Sequence, residues 1–192
     1  MSYVSSLFAA AGEMSMCALE AIAADYFARA EALSNGLLHA MALAQELAQG
    51  SPARWRGAWR DEYANIGLRV LSYYPGPQRG QDGNRIYTTS RHTDATWLTL
   101  LANDDLDGLH VRPAGAPGGG MSVMPPLPGA LLVNTGNVMR KASREFFDAV
   151  CHWVVRTERT ESKTRVSMPF FYDRKDDSHR QPNFWAGGTG GC

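Results

Sequence analysis

Two histidines and an aspartate are the side chains of this sequence best suited to chemistry. His92 and Asp94 are separated by a single residue in Arg91-His92-Thr93-Asp94. If this triplet opens a strand, alternation sends both side chains to one face, where an imidazole and a carboxylate can hold one ion. His-x-Asp alone is a weak signal, because a surface histidine beside a turn-forming aspartate gives the same triplet. His152 adds to it from within the apolar run Cys151-His152-Trp153-Val154-Val155. An imidazole buried there without a partner is costly. A metal is one such partner, and a hydrogen bond in the core is the alternative. Two imidazoles and one carboxylate form a facial triad with open coordination positions, a set that favours iron(II) and oxygen chemistry over a closed zinc site.

A second constellation follows in Arg165-Val166-Ser167, which runs on through Met168-Pro169-Phe170-Phe171-Tyr172. On a strand, Arg165 and Ser167 share a face. A guanidinium fork beside a hydroxyl suits a carboxylate held deep in a barrel mouth, and an exposed edge-strand arginine is the plainer reading. Trp97, Leu98, Trp153 and Phe171 are candidate walls that would shape a pocket and exclude water, with ordinary core packing as the alternative. Cys151 adjoins His152, but alternation points it the other way, so it reads as a buried apolar residue.

The elements that position these groups show in the hydrophobic pattern. Leu19, Ile22, Ala23, Tyr26, Phe27, Ala30 and Leu33 recur at helical spacing. Ser34-Asn35-Gly36 then interrupts, and a second helix carrying Leu37, Leu38, Met41, Leu43 and Leu47 stops at Gly50-Ser51-Pro52, which predicts a helical hairpin. Past Trp59 come seven short apolar runs: Leu68–Tyr74, Thr96–Leu101, Gly108–Val111, Met121–Met124, Ala130–Asn134, Cys151–Val155 and Arg165–Tyr172. Pro75-Gly76-Pro77, Asp82-Gly83, Ala114–Gly120 and Pro125–Gly129 separate them, as in an antiparallel sandwich or barrel. Val138, Ala142 and Phe146 can share one short helical face. We therefore expect a helical segment over 1–60 packed on a β domain over 61–175, then a flexible glycine-rich tail over 176–192.

With 192 residues one core is expected, and 19 basic against 19 acidic residues leave no field to draw nucleic acid or an anionic membrane. The expected partner is a small molecule. Glu13, Glu20, Asp25 and Arg29 break the alanine-rich start, against a signal peptide or a membrane span. Cys17, Cys151 and Cys192 fit neither a disulfide framework nor paired zinc-ligand spacing, which suits a reducing cytoplasm.

In order along the chain stand Leu71-Ser72-Tyr73-Tyr74-Pro75, His92-Thr93-Asp94, Gly108-Leu109-His110-Val111, Pro128-Gly129-Ala130-Leu131-Leu132-Val133-Asn134-Thr135-Gly136 and Arg165-Val166-Ser167-Met168-Pro169-Phe170-Phe171. As a set, from about Leu68 to Tyr172, these blocks resemble the isopenicillin N synthase-like group of Fe(II)/2-oxoglutarate-dependent oxygenases. The resemblance implies a double-stranded β-helix, the jelly-roll or cupin-like fold, with iron on His92, Asp94 and His152. It implies 2-oxoglutarate held through its distal carboxylate by Arg165 and Ser167, with Tyr74 touching cosubstrate or substrate. Dioxygen would be the oxidant, and a C–H bond would be hydroxylated, desaturated or closed into a ring, with release of succinate and CO2. The family's usual N-terminal region is mostly missing, Trp153 stands where arginine is common, and Arg156–Thr164 is a longer, more charged connection. Two other readings fit the same residues. One is an iron oxidase of this group that does not use 2-oxoglutarate. The other is a truncated, non-catalytic metal-binding fragment, whose incomplete sheet edge would favour self-association.

Overall fold

The computed structural model describes residues 16–60, 66–112, 120–127 and 129–173. The expected tail over 176–192, the turn residues 114–119 and Pro128 lie outside the described residues.

Helix α1 spans Met16–Gln49 without a break, so the expected hairpin is one continuous helix. Its buried stripe, Ala30, Ser34, Leu38, Ala42 and Gln45, runs straight through the segment read as a turn. Ser34 donates its hydroxyl to the carbonyl of Ala30 at 2.8 Å, and the Asn35 amide donates to Glu31 at 3.0 Å. Both are helix-compatible bonds to the preceding turn. Asn35 also accepts a hydrogen bond from the Tyr172 hydroxyl at 3.1 Å, a tertiary contact that favours the helix over a local turn. The stop falls where expected, at Gly50, whose φ of 65° supplies the left-handed residue that ends a helix.

Among the described residues, nine strands follow in two antiparallel sheets. The first is ordered β1–β9–β4–β7, with β2 also on β9; it comprises β1 (Ile66–Leu68), β2 (Leu71–Tyr73), β4 (Leu98–Asn103), β7 (Leu132–Thr135) and β9 (Arg165–Tyr172). The second is ordered β3–β8–β5–β6, from β3 (Tyr87–His92), β5 (Leu109–Arg112), β6 (Ser122–Val123) and β8 (Cys151–Val155). This is the jelly roll, its two sheets face to face. The expected strand Leu68–Tyr74 is split in two, although β1 and β2 keep one register against β9. Arg69 N–H donates to the Pro169 carbonyl at 3.0 Å, but proline has no N–H to return, and the ladder lapses there.

Alternation along β9 sorts the interior. Met168, Phe170 and Tyr172 face α1, and the Phe170 ring meets Phe27 edge-on with centroids 5.1 Å apart. Arg165, Ser167 and Phe171 take the opposite face, toward the second sheet. Fully buried side chains such as Leu38, Leu100 and Phe170 each contribute about 1.5–3 kcal/mol. They form one core beneath α1, joined by Trp55, Trp59 and Trp97. The expected helical segment after Asn137 is the short helix α2 (Asn137–Ala142), with Met139 as its buried residue. Cys151 lies buried on the face opposite His152, as expected, but it is disulfide-bonded, which corrects the expectation that the cysteines form no disulfide and removes their argument for a reducing compartment; its partner is not among the described side chains. Among the described residues no helix is long and apolar enough to cross a membrane.

Candidate metal centre

His92, Asp94 and His152 come together, each offering one ligand atom, with all three atoms within 4.8 Å of one another. They converge differently from the sequence expectation. His92 closes strand β3 instead of opening one, and Asp94 lies beyond the strand in the turn to β4. What aligns His92 is a pair of irregularities in the β3–β8 ladder, between Tyr87 and Thr89 and between Thr89 and His92. An unbroken register from Tyr87↔Val155 would set Ser90 opposite His152. The two shifts set His92 there instead, a common use of bulges beside functional sites. β3 escapes a search for hydrophobic alternation because Thr88, Thr89, Ser90 and Arg91 contribute no apolar side chain.

Both imidazoles are oriented from behind. Nδ1 of His92 lies 2.8 Å from the Ser90 carbonyl and Nδ1 of His152 lies 3.0 Å from that of Val150. A carbonyl only accepts, so each Nδ1 carries a proton, and in the neutral ring each Nε2 presents a lone pair. Those two Nε2 atoms lie 3.6 Å and 3.7 Å from Oδ1 of Asp94, too far for hydrogen bonds. Burial, then the neighbouring His152, hold the His92 pKa below its ordinary value, against the opposing pull of the Ser90 carbonyl and Asp94. This favours the neutral ring that ligation requires. With both rings neutral, three electron-pair donors lie within 4.8 Å of one another, an arrangement that a cation would satisfy.

The carboxylate is buried and held by Thr99 and Asn134, and its turn is held by Asn137 and Gly136, none of them singled out as site residues from the sequence. Oδ2 of Asp94 accepts from the Thr99 hydroxyl at 2.6 Å and from the Asn134 amide at 2.8 Å. The Asp94 carbonyl accepts from the Asn137 N–H at 2.7 Å, and the Asn137 amide donates to Thr93 at 2.9 Å. Gly136 makes this approach possible, since a Cβ there would lie 2.3 Å from the Thr96 carbonyl and 2.8 Å from that of Asp94. The signal was present in Leu132-Val133-Asn134, an amide in an apolar strand that must find partners.

Across the same interior face, Arg165 is 2% exposed. Its Nη2 donates to Asn103 at 2.8 Å, while Nε and Nη1 are buried without a hydrogen-bond partner. A buried cation with two idle donors suits a carboxylate. Burial pulls its pKa down, and Tyr73, Asp104 and Asp107 oppose that pull. Ser167 is buried two residues on. Tyr74, expected near this pocket, is 74% exposed. Its neighbour Tyr73 pairs with Arg165 across the ladder, and the guanidinium lies 5.4 Å from the Tyr73 ring centroid. The strand alternation is one residue out from the expectation.

Of the expected pocket walls, only Phe171 lies on the interior face, opposite Thr99. Trp97 packs against Trp55 with ring centroids 5.7 Å apart, in the core under α1 that also holds Leu98. Trp153 lies on the outer face of the second sheet, stacked on His110 at 5.6 Å and covered by Arg91. Neither tryptophan lines the face that carries the triad, because alternation turns Trp153 away from His152, and Trp97 precedes β4 on the helix side.

The sequence matches the profile of the 2OG-Fe(II) oxygenase superfamily over residues 65–174. The chain belongs to this superfamily. Fe(II) and 2-oxoglutarate are the metal and cosubstrate that name it. A 2-oxoglutarate-dependent dioxygenase of Didymella fabae is 33% identical over 119 residues, 62% of this chain and 35% of the relative. Homoarginine-6-hydroxylase 2-ODD-C23.1 of Arabidopsis thaliana is 30% identical over 176 residues, 88% of this chain and 49% of the relative. Among solved structures, JOX2 in complex with 2OG, Fe and JA superposes with a TM-score of 0.68 at 25% identity, over 83% of this chain and 43% of that one. The chain therefore spans between about a third and a half of the length of these three proteins.

Proposed function

We propose that the chain is the catalytic core of an Fe(II)- and 2-oxoglutarate-dependent oxygenase that oxidises an unactivated C–H bond of a small molecule by hydroxylation, desaturation or ring closure. The observation that carries this reading is the meeting of one ligand atom each from His92, His152 and Asp94 within 4.8 Å of one another, with both imidazoles oriented through Nδ1. In this role they would hold Fe(II), a ligand set that leaves coordination positions open to cosubstrate and dioxygen. Arg165, through its two unpaired nitrogens Nε and Nη1, and Ser167 bind the distal carboxylate of 2-oxoglutarate. Tyr73 takes the place expected of Tyr74 against that pocket.

Bound iron and 2-oxoglutarate supply the activation of dioxygen coupled to oxidative decarboxylation, which yields succinate and CO2. The chain's own share is positioning. The Ser90 and Val150 carbonyls keep the two imidazoles in their ligating tautomer. Phe171 walls the substrate side and excludes water. On this reading copies of the chain pair along the exposed edge strand β6, where Val123 is 57% exposed.

The test is anaerobic addition of 2-oxoglutarate to the Fe(II)-loaded protein. We expect a weak visible charge-transfer band that Arg165→Gln weakens, followed in air by succinate release. Oxygen uptake that ignores 2-oxoglutarate would favour the iron oxidase of the same group, and absence of Fe(II) binding would favour the inert fragment.

A further inference from the structure

The two oxygens of Asp94 face different partners. Oδ1 lies toward both histidines, at 3.6 Å and 3.7 Å. Oδ2 is taken up by Thr99 at 2.6 Å and Asn134 at 2.8 Å. Thr99 and Asn134 are direct partners in the β4–β7 ladder, so sheet register, not side-chain freedom, sets their spacing. Behind them, the Thr96 hydroxyl lies 3.2 Å from that of Thr99. A carboxylate only accepts, so Thr99 donates its hydroxyl hydrogen bond to Asp94 and accepts one from Thr96, which makes a directed chain of hydroxyls ending on Oδ2. Asp94, Thr96, Thr99 and Asn134 are all buried, so water does not compete for these bonds.

We infer that Thr99 and Asn134 are positioning residues that restrict Asp94 to one-oxygen ligation. By occupying Oδ2 from the first sheet they aim Oδ1 at the point set by the two histidines of the second sheet. They also stop the carboxylate from turning to offer both oxygens. A two-oxygen aspartate would occupy four positions of an octahedral ion together with the histidines, leaving two where cosubstrate and dioxygen require three. The inference rests on the metal reading above and adds what fixes the number of open positions.

Mn(II) alone is the probe, because the relaxation of water protons by protein saturated with Mn(II) reports how many waters the ion keeps. Thr99→Val removes the hydroxyl with little change of shape, and Thr99→Ser keeps it. We expect Thr99→Val to lower the relaxivity by roughly one third, three water positions becoming two, and to weaken Mn(II) binding about 10- to 100-fold. Thr99→Ser should match the wild type in both. Asn134→Ala removes the second donor from the other strand and gives the same readout should the valine variant not fold. Relaxivity and affinity unchanged in Thr99→Val or Asn134→Ala would overturn the inference, even with a lowered thermal midpoint, since that is the mark of a merely structural bond. A wild-type chain that binds no Mn(II) would instead overturn the metal reading, and this inference with it.

Discussion

At the scale of single residues, the centre is built from groups that accept, gathered where nothing donates. His92 and His152 spend their N–H groups on backbone carbonyls, and Asp94 spends one oxygen on Thr99 and Asn134, so the remaining lone pairs are left for a cation. Replacing His152 or Asp94 by alanine should therefore abolish stoichiometric Fe(II) binding, read by anaerobic titration. Arg165 is the complement, a buried donor with idle N–H groups. Arg165→Gln should weaken 2-oxoglutarate by about 1.5–3 kcal/mol, roughly 10- to 150-fold, with Fe(II) affinity unchanged by calorimetry. His92 adds a pH dependence in the metal-free protein. Its folded pKa lies below the ordinary 6.5, so between the two values the unfolded chain binds the extra proton. This contribution is present in full above 6.5 and is lost as the pH falls toward the folded value. Urea unfolding of the metal-free protein should show stability declining as pH is taken below 6.5, with a smaller decline in His92→Gln.

At the scale of elements, two irregular pieces do the positioning. The bulged β3 delivers His92 opposite His152, and the junction from β7 into α2 holds the Asp94 turn through Asn134, Gly136 and Asn137. Gly136 has an ordinary extended backbone, φ −110°, so it is required for closeness and not for conformation. Gly136→Ala should push the junction off Asp94 and weaken metal binding more than it lowers the thermal midpoint. Helix α1 yields the opposite kind of glycine. Gly36 is exposed, and a Cβ there meets nothing within 4 Å. Gly36→Ala should stabilise the protein by about 0.5–1 kcal/mol in urea unfolding, since alanine reduces the freedom of the unfolded chain and suits a helix. A turn at Ser34-Asn35-Gly36 would not respond in that way.

At the scale of the whole molecule, the metal would tie the two sheets together. His92 and His152 belong to the second sheet, while Asp94 is fixed by Thr99 and Asn134 of the first. A divalent ion bound across that gap recognises only the folded chain, so saturation should raise the unfolding free energy by about 2.7 kcal/mol at a hundredfold excess over Kd. The increment should vanish in Asp94→Ala. The core under α1 is a separate resource. Phe170→Ala, beneath Phe27, should cost about 3–5 kcal/mol in unfolding while leaving metal affinity intact in the folded fraction.

The sequence by itself marked out which side chains could hold a cation and a carboxylate. His92, Asp94, His152 and Arg165 were legible because buried or paired groups of those types have few uses, and short strands punctuated by glycine and proline required an antiparallel β fold. The structure decided how those groups meet. Bulges in β3 left no hydrophobic trace, and the alternation that separates Tyr73 from Tyr74, or turns Trp97 and Trp153 away from the triad, depends on register, which a strand inherits from its neighbours. Ser34-Asn35-Gly36 looked like a turn because local propensity is weak, and contacts with Tyr172 and the sheet beneath α1 outweighed it. Thr99 and Asn134 became part of the site only when β4 and β7 paired, for a residue far off in sequence acquires its role from the strand laid beside it.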